Sequence, residues 1–141
     1  MATPVELVDP ESGGRSRITE FGQLVVAPIS YSSAVEHDMD VINTAFNFAE
    51  PVHGKSIVIT DIIASANNSV SNTTPADIVV YQADSATSLV SLSGIVRPQL
   101  VRANNFILTG LNLIVPPGVW INATTTDDDI LLTIMFYRVP V

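Results

Sequence analysis

The chain has 141 residues, enough for one domain with a sizeable core, and its composition is lopsided: 47% hydrophobic, 14% charged and no cysteine. A formal net charge of −8, from 14 acidic against 6 basic residues, weighs against nucleic-acid binding, which rests on Lys and Arg neutralising phosphates. The lack of cysteine excludes disulfides and thiolate metal sites, and no apolar run approaches the ~18 residues of a membrane helix, so the high mean hydropathy of +0.38 assigns the surplus apolar surface to a protein interface.

Residues 1–22 hold Pro4, Pro10, Gly13, Gly14 and Gly22 and show no apolar periodicity before Ile18. They are read as an extended arm with a turn at "DPESGG" (9–14). The start of the chain has neither a basic nor an apolar signal-peptide region, so synthesis in the cytosol is expected. Residues 23–141 are read as the folded domain. "QLVVAPIS" (23–30) is a short strand interrupted by Pro28. "YSSAVEHDMDVINTAF" (31–46) offers at most one weakly capped helical turn. "DVINTAFNFAE" (40–50) alternates, with Ile42, Thr44, Phe46 and Phe48 on one face and Asn43 and Asn47 on the other.

"KSIVITDIIASA" (55–66) is β-branched and apolar on both sides, as in a buried strand. "NNSVSNTTPA" (67–76) is a loop by composition. "DIVVYQA" (77–83) is a strand. "SLVSLSGIVRPQLV" (88–101) is a strand broken at Arg97–Pro98, and "NNFILTGLNLIV" (104–115) is a strand bent or bulged at Gly110. "PPG" (116–118) is a turn, "VWINATT" (119–125) a strand and "ILLTIMFYRV" (130–139) the last. About eight short strands at the 8–12-residue spacing of sandwiches predict an all-β, antiparallel β-sandwich, of the jelly-roll kind.

Sites for chemistry are sparse. Asp127, Asp128 and Asp129 are consecutive, so in an extended chain they point to alternate faces and do not converge on one ion. Without calcium-loop spacing they are read as a turn that also keeps a sticky strand end soluble, in preference to a calcium or catalytic site. His37, beside Glu36, Asp38 and Asp40, is taken as a solvated loop histidine, and His53 as a turn residue; neither has metal-ligand spacing. No nucleophile motif, dinucleotide fingerprint or phosphate loop is present, so no catalytic residue, cofactor or metal is assigned. Trp120 fits a core or interface position better than a sugar platform. The sequons at Asn67, Asn72 and Asn122 are read as chance.

The last strand is apolar on both faces. Ile130, Leu132, Ile134 and Phe136 share one face; Leu131, Met135, Tyr137 and Val139 share the other. A strand with one solvated face alternates, so Leu131, Met135 and Tyr137 are assigned to a subunit interface, with cover by the chain's own loops as the alternative. The neighbouring cations Arg15 and Arg17 are expected to meet acidic groups on a partner, with Ile18 and Phe21 as apolar anchors.

The segments "ITEFGQLVVAPISYS" (18–32), "NTAFNFAEP", "IVITDIIASAN", "ADIVVYQADSAT", "LTGLNLIVPPGVWINATTTDDDI" and "FYRVP" resemble short virion proteins of tailed bacteriophages, over most of residues 18–140. An arm joined to a β-sandwich resembles capsid decoration, or cement, proteins. That resemblance implies a non-enzymatic homotrimer on the outside of the capsid, bound to the major capsid protein, assembled in the host cytoplasm, with no nucleic-acid, membrane or small-molecule partner. It transfers no active-site residue. The acidic charge agrees, because packaged DNA would repel it from the inner face of a shell. A carbohydrate- or receptor-binding module of a fibre or tail is the alternative; it needs exposed aromatics, and aromatics are 6% of the chain. A small β-sandwich enzyme is the least supported class.

Overall fold

The computed structural model describes residues 33–141 throughout and, within residues 1–32, the backbone pairing of three short strands. The chain divides into two compact units, Met1–Ser30 and Tyr31–Val141. In the first, β1 (Leu7–Val8), β2 (Arg15–Ile18) and β3 (Leu24–Val25) pair antiparallel in that order. The expected course of an arm over 1–22 and its boundary with the folded domain lie outside the described residues.

The second unit consists of β4 (Ser33–Met39), β5 (Phe46–Ala49), β6 (Lys55–Ala66), β7 (Ala76–Ala83), β8 (Ser93–Val96), β9 (Gln99–Leu100), β10 (Asn105–Leu108), β11 (Leu113–Val115), β12 (Trp120–Thr125) and β13 (Ile130–Pro140). They form two antiparallel sheets, with no helix among the described residues. The first runs β10–β6–β13–β4, with β11 also on β6; the second runs β5–β12–β7–β8, with β9 also on β7. This all-β, two-sheet architecture is of the β-sandwich kind. One apolar core draws on both sheets: Ile62, Ile130, Leu132 and Ile134 from the first meet Ile78, Val80, Ile121 and Ala123 from the second, all fully buried. Truncating one of the large aliphatics to Ala costs about 2–5 kcal/mol.

Chain punctuation sets the strand breaks. Gly110 adopts φ 67°, a left-handed conformation open to glycine, and separates β10 from β11. Both halves continue on β6, Leu108 opposite Ile62 and Leu113 opposite Ile59. Pro98 separates β8 from β9 in the same way. Gly118, at φ 84°, turns the "PPG" segment into β12.

Two expectations fail. Residues 33–39 form a strand rather than a helical turn, and His37 therefore lies in β4, opposite Leu132, not in a solvated loop. Its ring stacks on Phe46, centroids 3.4 Å apart and nearly parallel. The period-two pattern of β4 was masked because His37 occupies an inward position between Val35 and Met39. The alternation assigned to 40–50 also overshoots: only Phe46–Ala49 is strand, and Asn43, at φ 51°, lies in the connection from β4.

Bulges control which residues face inward. On β6 the register slips between Met135, opposite Asp61, and Phe136, opposite Ile59, leaving Thr60 as the extra residue. Its hydroxyl donates to the Met135 carbonyl at 3.2 Å. Ile62, Ala64 and Ala66 thus face the core before the slip, and Ile57 and Ile59 after it. On β5, Phe48 is the extra residue opposite the Ile121/Asn122 step of β12, so both Phe48 and Ala49 are buried.

Candidate functional site

The outer face of the first sheet carries the residues assigned to an interface. On β13, Ile130, Leu132, Ile134 and Phe136 are buried in the core, while Leu131, Thr133, Met135 and Tyr137 between them are half-buried on the other side. The registers place these outward residues in rows across the sheet. One row is Asp38, Leu131, Ser65 and Asn105; the next is Glu36, Thr133, Ile63 and Ile107. Beyond them come Ala34, Met135 and Asp61, then Tyr137, Val58 and Ile114. Val58 is buried yet stands outside the core cluster, so it is covered from this outer side.

The result is an apolar stripe of Leu131, Ile63, Ile107, Met135, Tyr137 and Ile114. Ile107 is 63% exposed and Ile114 62%. Carboxylates border it: Glu36 accepts a hydrogen bond from the Thr133 hydroxyl at 3.4 Å, and Asp61 accepts one from the Gly110 amide at 3.3 Å. Leu131, Met135 and Tyr137 are thus brought onto one surface. Arg15, Arg17 and Ile18 belong to β2, but their side chains, like all of Phe21, lie outside the described residues.

The second sheet is finished differently. Its outward residues Tyr81 and Asn122 lie opposite each other on β7 and β12 and are buried. They are covered by the 84–92 loop, which they hold by its carbonyls. The Tyr81 hydroxyl donates to Ser88 O at 2.6 Å, and Asn122 Nδ2 donates to Ser85 O at 2.9 Å and Ser88 O at 3.2 Å. Asn47 Nδ2 completes the network by donating to Asn122 Oδ1 at 3.0 Å. Burial pushes the Tyr81 hydroxyl above its ordinary pKa, and its hydrogen bond with Asn122 opposes that. Asn122 is 0% exposed, which closes that sequon to modification in the folded chain. Sequence reading missed this network; the only available signal was an asparagine in mid-strand, where amides are depleted.

The Asp triplet is a turn. Asp127 Oδ1 accepts from the Asp129 amide at 3.1 Å, two residues on, as turn-forming aspartates do. The Asp129 carboxylate is held by Asn67 Nδ2 at 2.7 Å, by the Ser69 amide at 3.3 Å and by the Ser69 hydroxyl, tying the β6–β7 loop to the β12–β13 turn. The Ser69 hydroxyl, followed by Asn67, draws its pKa below the usual carboxylate value. No group of three His, Cys, Asp or Glu side chains among the described residues is placed to hold a metal.

The hollows among the described residues differ in size and openness. His37, Met39, Asp40 and Phe46 help line one of about 100 Å³, well below the roughly 300–1,000 Å³ of ligand pockets. His53 sits in the turn before β6, beside an open hollow of about 480 Å³ that Pro51, Pro117 and Val141 share. Trp120 is half-buried at the start of β12, opposite Ala83 and outside the core cluster. The two sheets are finished differently: the first carries an apolar stripe on its outer face and the second a stapled loop. Protein-family models, curated proteins and solved structures were all compared with the chain, and none matches.

Proposed function

We propose that the protein is a capsid decoration protein of a tailed bacteriophage. In this proposal it is non-enzymatic, assembles as a homotrimer, and binds the major capsid protein on the outside of the shell. The observation that carries the proposal is the apolar stripe around Leu131, Met135 and Tyr137, on a sheet whose other face already fills the core. A stripe bordered by carboxylates suits a protein contact better than a lipid or nucleic-acid one.

The finer fold assignment, a jelly roll, is supported by the strand order. With β8/β9 and β10/β11 each counted as one broken strand, and β4 as the first, the two sheets read second–seventh–fourth–fifth and first–eighth–third–sixth: β5–β12–β7–β8/β9 is of C-H-E-F type, and β4–β13–β6–β10/β11 is of B-I-D-G type. The acidic balance of −8 favours the exterior of a DNA-filled shell. The fibre or tail glycan-binding alternative has less support, because the aromatic group of His37, Phe46 and Phe48 is stacked on itself rather than presented in an open cleft.

Light scattering on the purified chain is expected to give three times its 15.1 kDa mass; a monodisperse monomer at micromolar concentration refutes the assembly. Met135→Lys is the informative variant. In a lone subunit the ammonium stays solvated opposite Asp61 and leaves the fold intact, whereas burial in the interface strips its water at a cost on the order of several kcal/mol that the Asp61 pairing offsets only in part. It is expected to be a folded monomer with weakened binding to shells stripped of the native protein.

A further inference from the structure

We infer that the subunits pack head to tail, the 84–92 loop of one copy seated on the apolar stripe of the next. The inference rests on the trimer proposed above and assigns its contacts. The loop presents Leu89, Val90 and Leu92 at 60%, 69% and 55% exposure. Solvent-facing apolar residues on a mobile loop would lose much of their contact energy in being ordered. This loop is ordered beforehand. Besides the Tyr81 and Asn122 bonds, the Leu92 amide donates to Gln82 O at 2.8 Å and the Val90 amide to the Ser88 hydroxyl at 3.1 Å.

Geometry and charge choose the occupant. The loop lies over the outer face of the second sheet, and the stripe is the outer face of the first, so one copy offers its two apolar surfaces on opposite sides. A stripe-to-stripe contact would set Glu36, Asp38 and Asp61 of one copy against the same three carboxylates of another, and like charges brought together at an interface are strongly unfavourable. The loop side is mixed in charge: it carries Arg97 beside Asp77 and Asp84, where the border of the stripe carries carboxylates alone. Arg97 shares a groove of about 370 Å³ with Ser91, Val79 and Ile95. It is 68% exposed and engages Asp77 through Nε and one Nη, so its guanidinium edge is available to the carboxylates bordering a neighbour's stripe. Loop-to-stripe contact is heterologous; it closes into the proposed trimer where successive copies are rotated by a third of a turn, and a rotation that does not close gives an open filament, which light scattering distinguishes.

The native chain contains no cysteine, so cross-linking reads the contact directly. Leu89→Cys, Ile107→Cys and the double variant are treated with a short bis-maleimide, and covalent species are sized under denaturing conditions, beside light scattering of the native protein. Covalent dimers and trimers from the double variant, with each single variant remaining monomeric, are expected. A native trimer whose double variant does not cross-link, or whose Leu89→Cys variant alone forms dimers, overturns the head-to-tail contact and leaves the trimer standing. A native monomer overturns both. Val90→Asp alters an exposed side chain; it is expected to keep the native melting temperature while weakening association by about 30-fold or more, as loss of a central contact does. Unchanged association in that variant also overturns the assignment.

Discussion

Asn122→Ala tests whether the loop over the second sheet is held by side-chain amides. Asn122 donates to Ser85 O and Ser88 O and accepts from Asn47, all in a site from which solvent is excluded. A net contribution of about 0.5–1.5 kcal/mol per hydrogen bond, applied to three bonds and reduced because the freed loop carbonyls regain water, gives a loss of about 1–4 kcal/mol. Tyr81→Phe removes one bond, and Ser88 O keeps its Asn122 donor, so its loss is about 0.5–1.5 kcal/mol. Because both donors serve Ser88 O, the two substitutions should not add; a coupling of about 0.5 kcal/mol or more is expected. Urea unfolding at pH 7 measures all three variants, and hydrogen exchange at the Leu92 amide reports the loop alone. An Asn122→Ala variant within about 0.5 kcal/mol of the native protein refutes the proposed anchoring. So does strict additivity. The same site predicts an alkaline response. Tyr81 is raised above its ordinary 10.0, so its contribution is complete below pH 10 and is lost as pH rises through the folded-state value, where the phenolate can no longer donate. Tyr81→Phe should lack that alkaline loss.

Other predictions concern charge, metal and the first residues. Arg97 holds the Asp77 carboxyl below its ordinary 3.8, so this pair stabilises the fold above that pH and its contribution disappears as pH falls through the lower, folded-state value; Asp77→Asn should melt below the native protein at pH 7, and the difference should shrink as the solution is acidified below 3.8. Chelation should leave the melting temperature unchanged, since an ion bound only by the folded state would add stability by mass action; a drop with EDTA that calcium restores and Asp128→Asn abolishes would refute the turn assignment. Deleting residues 1–17 should weaken rebinding to stripped shells moderately and deleting 1–22 severely, because exposed ion pairs of Arg15 and Arg17 contribute about 0–1 kcal/mol each and the apolar anchors Ile18 and Phe21 more; equal occupancy for both deletions and the full chain refutes that role.

Most strands of the second unit were legible because their ends are written in strong local chemistry. The span 55–66 was read to the residue, as were the break at Pro98 and the bend at Gly110. What could not be read was phase. The sequence of β6 looks apolar on both sides partly because the slip at Thr60 exchanges the inward parity, from Ile62 and Ala64 to Ile59 and Ile57. A bulge of this kind depends on the partner strand's register and leaves no local mark. β4 was lost for a related reason: His37 is inward because Phe46 offers it a stacking partner, and a contact across two sheets has no trace in a window of neighbouring residues.

The same distinction separates the two strands whose sequences are apolar on both faces. For β6 the two-sided apolar pattern is largely explained within the subunit, and Ile63 and the covered Val58 are what remain on its outer face. For β13 no slip intervenes: every even residue from Ile130 to Phe136 enters the core, so Leu131, Met135 and Tyr137 are left outside by strict alternation. Their surroundings come from three other strands, and neither Ile107 nor Ile114 was recognisable as a neighbour until Gly110 placed both β10 and β11 on β6. A stripe assembled from four segments far apart in sequence, beside three carboxylates on its border, constrains a partner more tightly than one sticky strand. In the proposed head-to-tail assembly it takes apolar contact along its length, and its three carboxylates disfavour an identical stripe as the occupant.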